Sequence, residues 1–223
     1  MSIITVGCVL RSGGDYLPDH VAALNYSLKR HCCGEAELLC YTDQVKEVES
    51  LGVKAIPLVR NDPGWWAVPE VFRTIGSTVV IGLDTVFVRD IRPLLQIARE
   101  AAYNQFYMIR NLGKGQGPAS GVMAWNGDWK WIFDEFNYRL VKNRLRGDEN
   151  WTLEALASRG LKPSILQDEY DGICSYKLDV RGRMYMPDDA AVVVFHGKPR
   201  PHEITSAFRR LNYPLAGEGI RRM

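Results

Sequence analysis

Two residues able to share a cation bound to phosphate stand at the ends of apolar runs. Residues 78–90, TVVIGLDTVFVRD, open with a nearly unbroken apolar stretch that ends on Asp84, and the run 191–195 ends on His196. Runs of this kind predict strands buried on both faces of a sheet. Open α/β sheets take their ligands beyond the carboxyl ends of such strands. An Asp oxygen, a His nitrogen and diphosphate oxygens would, with water, form an octahedral shell for Mn²⁺ or Mg²⁺. Gly197 lets the backbone approach closely, and Lys198 offers a point charge to a phosphate. Both residues also have a plainer reading, Asp84 as a turn residue closing its strand and His196 as a structural histidine.

The turn Arg11-Ser12-Gly13-Gly14-Asp15 follows the first apolar run. Its two glycines do not make the G-x-G-x-x-G of a dinucleotide site, so NAD binding is a weak reading. The turn can instead aim Arg11 and backbone N–H groups at a phosphate or a base, or it is simply tight. Asp148 and Glu149 precede an apolar segment and suit a helix start, where acids offset the helix dipole. A carboxylate there also accepts strong hydrogen bonds from sugar hydroxyls. The six tryptophans include Trp65, Trp66, Trp125 and Trp151, which fit core positions or a stacking platform for a sugar or base.

The elements that must hold these groups follow from the pattern. Residues 3–10, 38–41 and 53–58 read as strands. Between them lie a helix with Leu17, Val21, Leu24 and Leu28 on one face and a shorter helix over 45–51. This β-α-β-α-β order predicts an α/β fold, a mainly parallel mixed sheet flanked by helices. Residues 61–64, Asn-Asp-Pro-Gly, form a turn. Asp90 is expected to cap a helix starting at Ile91, and 106–110 and 121–125 are expected to be strands. The glycine-rich 111–118 is expected to be a mobile loop. A helix over 131–144 would carry Phe133, Phe136 and Leu140, and Asp148 would cap another running to Leu156. One domain over 1–223 is expected: a nucleotide-binding half to 110, a donor-sugar and acceptor half over 111–203, and a tail over 204–223.

With 46% apolar and 24% charged residues the chain has an ordinary globular composition. A net charge of +2 gives no strong nucleic-acid signal, and the basic pairs Arg209–Arg210 and Arg221–Arg222 fit a solvated tail. Five cysteines without a C-x-x-C pair suggest reduced thiols and no zinc site. No apolar run spans a bilayer and the start is not a signal peptide, so a cytoplasmic protein is expected.

Eight strings in order, CVLRSGGDYLPDHV, CYTD, GWWAVPEVF, LDTVFV, ASGVMAWN, GDENW, SYK and PDDAAVVVFHGKPRPHE, cover the chain from Cys8 to Glu203. Together they resemble a family of phage and bacterial glycosyltransferases related to glycogenin and its retaining galactosyltransferase relatives. The resemblance implies a GT-A fold and hexose transfer from a nucleotide-diphosphate sugar, UDP-sugar first, with Mn²⁺ or Mg²⁺ and retention at the anomeric carbon. The acceptor stays open: glycan, lipid, protein or modified DNA. By the resemblance, Leu10, Arg11, Tyr16, Tyr41, Thr42 and Asp43 line the base and ribose. Asp84 is the second Asp of D-x-D with Leu83 beside it, and His196 is the metal-binding histidine. Gly197 and Lys198 face the diphosphate. Ser120, Gly121, Asp148 and Glu149 fall at the donor sugar, with Asp148 and Lys198 as the catalytic pair.

Three departures accompany the match. Gly82 stands where the first Asp of D-x-D is expected, Val68 where a lysine follows the paired tryptophans, and Glu149 where glutamine is common. Each removes a ligand or positive charge, or adds negative charge, near the expected diphosphate. The alternative function is therefore a catalytically impaired relative serving as a nucleotide-sugar or protein-binding module.

Overall fold

The computed structural model describes residues 3–113, 117–183, 186–204, 212 and 214. The paired arginines of the expected tail and the centre of the 111–118 loop lie outside the described residues. Strand β1 (Ile4–Leu10) is buried along nearly its whole length. Helix α1 (Pro18–His31) begins with a proline and Asp19 and ends on Lys29, Arg30 and His31, an order that suits its dipole. It buries Val21, Leu24 and Leu28 against the sheet. Leu17 is not on that face: it stands at the cap position, before the helix, and is 59% exposed.

β2 (Ala36–Thr42), α2 (Val45–Ser50) and β3 (Lys54–Pro57) complete the expected alternation. β1 pairs in parallel with β2, in a register that sets Cys8 opposite Cys40 as free thiols, and β2 pairs in parallel with β3. A 3₁₀ segment, Gly64–Arg73, then crosses the sheet face, and β4 (Thr78–Ile81) adds in parallel to the other side of β1.

The run 78–90 is not one strand. β4 ends at Ile81, and the Gly82 amide donates to the Gly121 carbonyl at 3.0 Å. The Thr85 amide closes a turn on the Gly82 carbonyl, also at 3.0 Å. β5 (Thr85–Phe87) therefore enters a second, three-stranded sheet. Ile91, not Asp90, takes the cap position of α3 (Arg92–Glu100), although the Asp90 side chain accepts from the Arg92 amide at 3.0 Å.

β6 (Phe106–Arg110) and β7 (Pro118–Trp125) are antiparallel, and β7 runs antiparallel to β4. The helix expected over 131–144 is broken into α4 (Lys130–Asp134) and α5 (Tyr138–Val141). Asn137 causes the break, since its side chain accepts from the Arg139 amide and starts a new helix. Leu140 consequently faces outward at 74% exposure.

α6 (Asp148–Ser158) follows, with Gly147 at the cap and Asp148 as the first helical residue. β8 (Ser164–Ile165) joins β6 in parallel, which completes the order β3-β2-β1-β4-β7-β6-β8. β10 (Val192–Val194) is the middle strand of the small sheet, antiparallel to β5 on one side and parallel to β9 (Ile173–Ser175) on the other. This is the expected α/β arrangement, a mostly parallel mixed sheet between helices.

The large sheet separates two cores. One joins β1 to α1 and α3 through Val6, Cys8, Leu24, Leu28, Leu94 and Leu95. The other packs the 3₁₀ segment, α4 and α6 around stacked Phe72, Trp125 and Phe106, ring centroids 5.2 and 5.5 Å apart. Each such buried side chain contributes about 1.5–3 kcal/mol. Among the described residues no helix is long and apolar enough to cross a membrane.

Candidate active site

A cavity of about 480 Å³ opens beyond the carboxyl ends of β1 and β4. β1 and its turn contribute Val9, Leu10, Arg11, Gly14, Asp15 and Tyr16, and the 3₁₀ segment contributes Gly64, Trp65 and Val68. The opposite wall is Val80–Asp84, with Ser120 and Gly121 from β7, Asp148 from α6 and Arg200 from the chain after β10. Eight of the residues assigned to the site by the motif resemblance meet here: Leu10, Arg11, Tyr16, Leu83, Asp84, Ser120, Gly121 and Asp148.

The first turn is fastened from behind. Arg11 donates to the side chains of Asp43 and Asn61 and, at 3.2 Å, to the Asp62 carbonyl. Asp43 also accepts from the Ser12 amide at 2.9 Å. Asp43 thus braces the turn and does not line the cavity. Thr42 is buried and accepts from the Gln44 amide at 2.9 Å. The Tyr41 ring lies in the aromatic core with its hydroxyl 2.8 Å from Thr74 Oγ1. Neither reaches the cavity.

On the far wall Asp84 lies back over Gly82, where an added Cβ would stand 2.5 Å from Asp84 Oδ1. Its Oδ2 is 3.6 Å from Nη1 of Arg200. Burial pushes the Asp84 carboxyl up to about 6, against the opposing pull of Arg200. Arg200 also donates through Nε and Nη2 to Asp15 Oδ2, at 3.3 and 3.2 Å. Its guanidinium lies 5.4 Å from the centroid of Tyr16. Behind Tyr16, His20 and His202 stack with centroids 4.3 Å apart. Burial lowers both histidines, His20 to about 4.

On the sugar side of the expected site, burial raises Asp148 to about 6, partly held back by a hydrogen bond from Ser120. Glu149 is raised by burial as well, although it does not line the cavity. Trp65, 61% exposed, stands at the rim against Gly147.

The residues after β10 are arranged differently from the sequence expectation. Nε2 of His196 lies 2.7 Å from Ser175 Oγ, and His196 is not among the lining residues. Burial and nearby Lys177 lower its pKa. Gly197 has φ 79°, the left-handed conformation that favours glycine, and Lys177 Nζ lies 3.1 Å from where a Cβ would stand. Lys198 is 64% exposed and pairs with Glu203 and, at 3.9 Å, with Asp15. Arg200 was missed as a site residue, whereas Asp15 falls within the turn expected to line the base and ribose. The available signal was an arginine between two prolines, just past a buried strand.

No protein-family model and no curated protein sequence matches the chain. Solved structures do. The glycosyltransferase GlyE of Streptococcus pneumoniae TIGR4 superposes with a TM-score of 0.67 at 14% identity over 95% of this chain. The chain spans only 59% of GlyE. The galactosyltransferase LgtC, solved with donor and acceptor sugar analogs, gives 0.60 at 11% identity over 88% of each chain. Mouse xyloside xylosyltransferase 1 gives 0.53 at 11%, over 89% of this chain and 98% of its own. The fold is that of these glycosyltransferases.

The motif resemblance adds a divalent cation to this glycosyltransferase fold, and the residues present do not fit one. Asp84 faces a guanidinium, Gly82 brings no carboxylate, and His196 does not line the cavity. Among the described residues no group of three or more His, Cys, Asp or Glu could hold a metal ion.

Proposed function

We propose that the cavity binds a nucleoside-diphosphate sugar, a UDP-sugar first, and that the protein transfers its hexose to an acceptor with retention. The observation carrying this reading is the convergence of eight motif residues on one cavity at the carboxyl ends of β1 and β4. Open α/β sheets bind nucleotides at that place. The finer placement beside phage and bacterial enzymes related to glycogenin rests on the eight sequence strings. The acceptor belongs to one of four classes: glycan, lipid, protein or modified DNA.

In this reading Leu10, Arg11 and the first turn hold the nucleotide end. Ser120, Gly121 and Asp148 take the sugar, the carboxylate accepting from its hydroxyls. The bond from the anomeric carbon to the diphosphate oxygen breaks, and its electron pair goes to the departing phosphate. The acceptor oxygen forms the new bond at the same face, and its proton passes to that phosphate oxygen. Preorganised donors around the leaving group stabilise the charge that develops there.

The test incubates the full chain with a panel of nucleotide sugars and follows nucleoside diphosphate release by mass spectrometry. Release from one donor is expected. Asp148→Asn should slow it about 10- to 100-fold, the worth of a charge-assisted hydrogen bond. A chain that neither binds nor cleaves any donor refutes the proposal. A second reading, a binding module without turnover, is favoured by Gly82 and Val68 at the cavity wall. It is distinguished by donor binding without release.

A further inference from the structure

Among the described residues two arginines line the cavity, and they differ in what they can offer a ligand. All three guanidinium nitrogens of Arg11 are committed to Ser12, Asp43, Asn61 and the Asp62 carbonyl. Among the described residues, Arg200 is hydrogen-bonded to a carboxylate through Nε and Nη2 only, that of Asp15. Nη1 points to Asp84 across 3.6 Å, longer than a hydrogen bond, so that edge can take a phosphate oxygen.

We infer that Arg200, held between Asp15 and Asp84, is the cation that receives the diphosphate, and that the chain binds its nucleotide without a divalent metal. This rests on the reading of the cavity as a nucleoside-diphosphate site. Three observations support the exchange of a metal for a guanidinium. Gly82 supplies no carboxylate, and the space a side chain would need is taken by Asp84 itself, 2.5 Å from the Cβ position. His196 lies outside the cavity lining. Lys198 is exposed and pairs with Glu203.

Arg200 is also fixed in place. Its backbone amide donates to Glu203 at 2.7 Å, and its guanidinium packs on Tyr16, whose ring stands edge-on to His202 at 5.7 Å. A planar fork that stays protonated at every working pH suits two phosphate oxygens. When the bond to the anomeric carbon breaks, the electron pair arrives on an oxygen beside this fork. The stabilisation then grows as the reaction proceeds.

The experiment is calorimetric titration of the full chain with UDP, GDP, ADP, CDP and dTDP, each in EDTA and in Mn²⁺. The nucleotide that binds is expected to bind equally well in EDTA. Arg200→Gln should weaken it about 10- to 100-fold, with partial recovery in Arg200→Lys. The corresponding nucleoside, which lacks phosphate, should bind the variants and the wild type alike; a merely structural role would weaken both ligands together. Binding that requires Mn²⁺ overturns the inference while leaving the nucleotide site standing. So does an Arg200→Gln protein that holds the diphosphate as the wild type does. No binding of any nucleotide in either buffer overturns the site and the inference together. The EDTA comparison uses the wild type alone and stands even if a variant fails to fold.

Discussion

Replacing Asp148 with Asn should make the protein more stable and less active, and the gain should depend on pH. The Asp148 carboxyl is raised from 3.8 to about 6, chiefly by burial. The native state therefore binds this proton more tightly than the unfolded chain does. Stability from this group is greatest below about pH 4, falls as the pH rises from about 4 to 6, and is constant above that. A shift of about 2 units corresponds to about 3 kcal/mol at most. Because Asp148 is only half-buried in an open cavity, about 1.5 kcal/mol is the discounted figure. Asparagine keeps an acceptor for the Ser120 hydroxyl and removes the charge. For a chain of this size the melting temperature should rise about 3–6 °C at pH 7.5 and hardly at all at pH 4. Differential scanning calorimetry at the two pH values checks this. Equal gains at both, or a loss at pH 7.5, would refute the claim that a desolvated carboxylate is held here at the expense of stability. Such expense is expected where a charged group serves a ligand rather than the fold.

Gly82→Ala should displace the Asp84 carboxylate, since the new Cβ would stand 2.5 Å from its Oδ1. The strain costs the folded chain about 0.5–1.5 kcal/mol, read as a melting temperature lower by about 1–6 °C; an unchanged melting temperature would show that Asp84 gives way freely. Trp65→Ala should leave stability within about 0.5 kcal/mol, because Trp65 is 61% exposed. It should weaken donor binding by about 0.5–1.5 kcal/mol if the ring stacks on the ligand; unchanged affinity removes Trp65 from the site. His20 is lowered from 6.5 to about 4 by burial and by His202, so the stability it contributes is present above pH 6.5 and lost as pH falls towards 4. His20→Gln should flatten the melting temperature between those values, and an unchanged pH profile would show that the stacked pair does not titrate there.

The first half of the fold was legible chiefly because β1 and β4 are buried nearly throughout and α1 carries a clear apolar stripe. The second half was less so. β8 and β9 have two and three residues, too few for a period to show. The apolar run 78–90 hides a passage between two sheets, made by backbone hydrogen bonds at Gly82 that no side-chain pattern records. Asn137 broke the helix expected over 131–144 through a side-chain bond to the backbone, a local event inside an otherwise helical pattern.

Asp84 stood out as a carboxylate closing an apolar run, although it lies in the turn between β4 and β5, and Ser120, Gly121 and Asp148 stood out through the motif resemblance; all four line the cavity. Residues at the end of β2 were not separable from true lining residues. Asp43 turns out to brace Arg11, and Tyr41 points into the aromatic core. Arg200 was hidden for a different reason. Its carboxylate partner Asp15 is 185 residues away in the chain, and only the folded sheet brings the two together.

The most direct measurement is diffraction from crystals of the full chain grown in EDTA with the nucleoside diphosphate that binds. The account predicts nucleotide density in the cavity at the ends of β1 and β4. Its diphosphate should lie within about 3.2 Å of the Arg200 guanidinium, with the open end of the cavity facing Ser120 and Asp148. Nucleotide bound elsewhere on the surface, or a cavity left empty at saturating ligand, would contradict it.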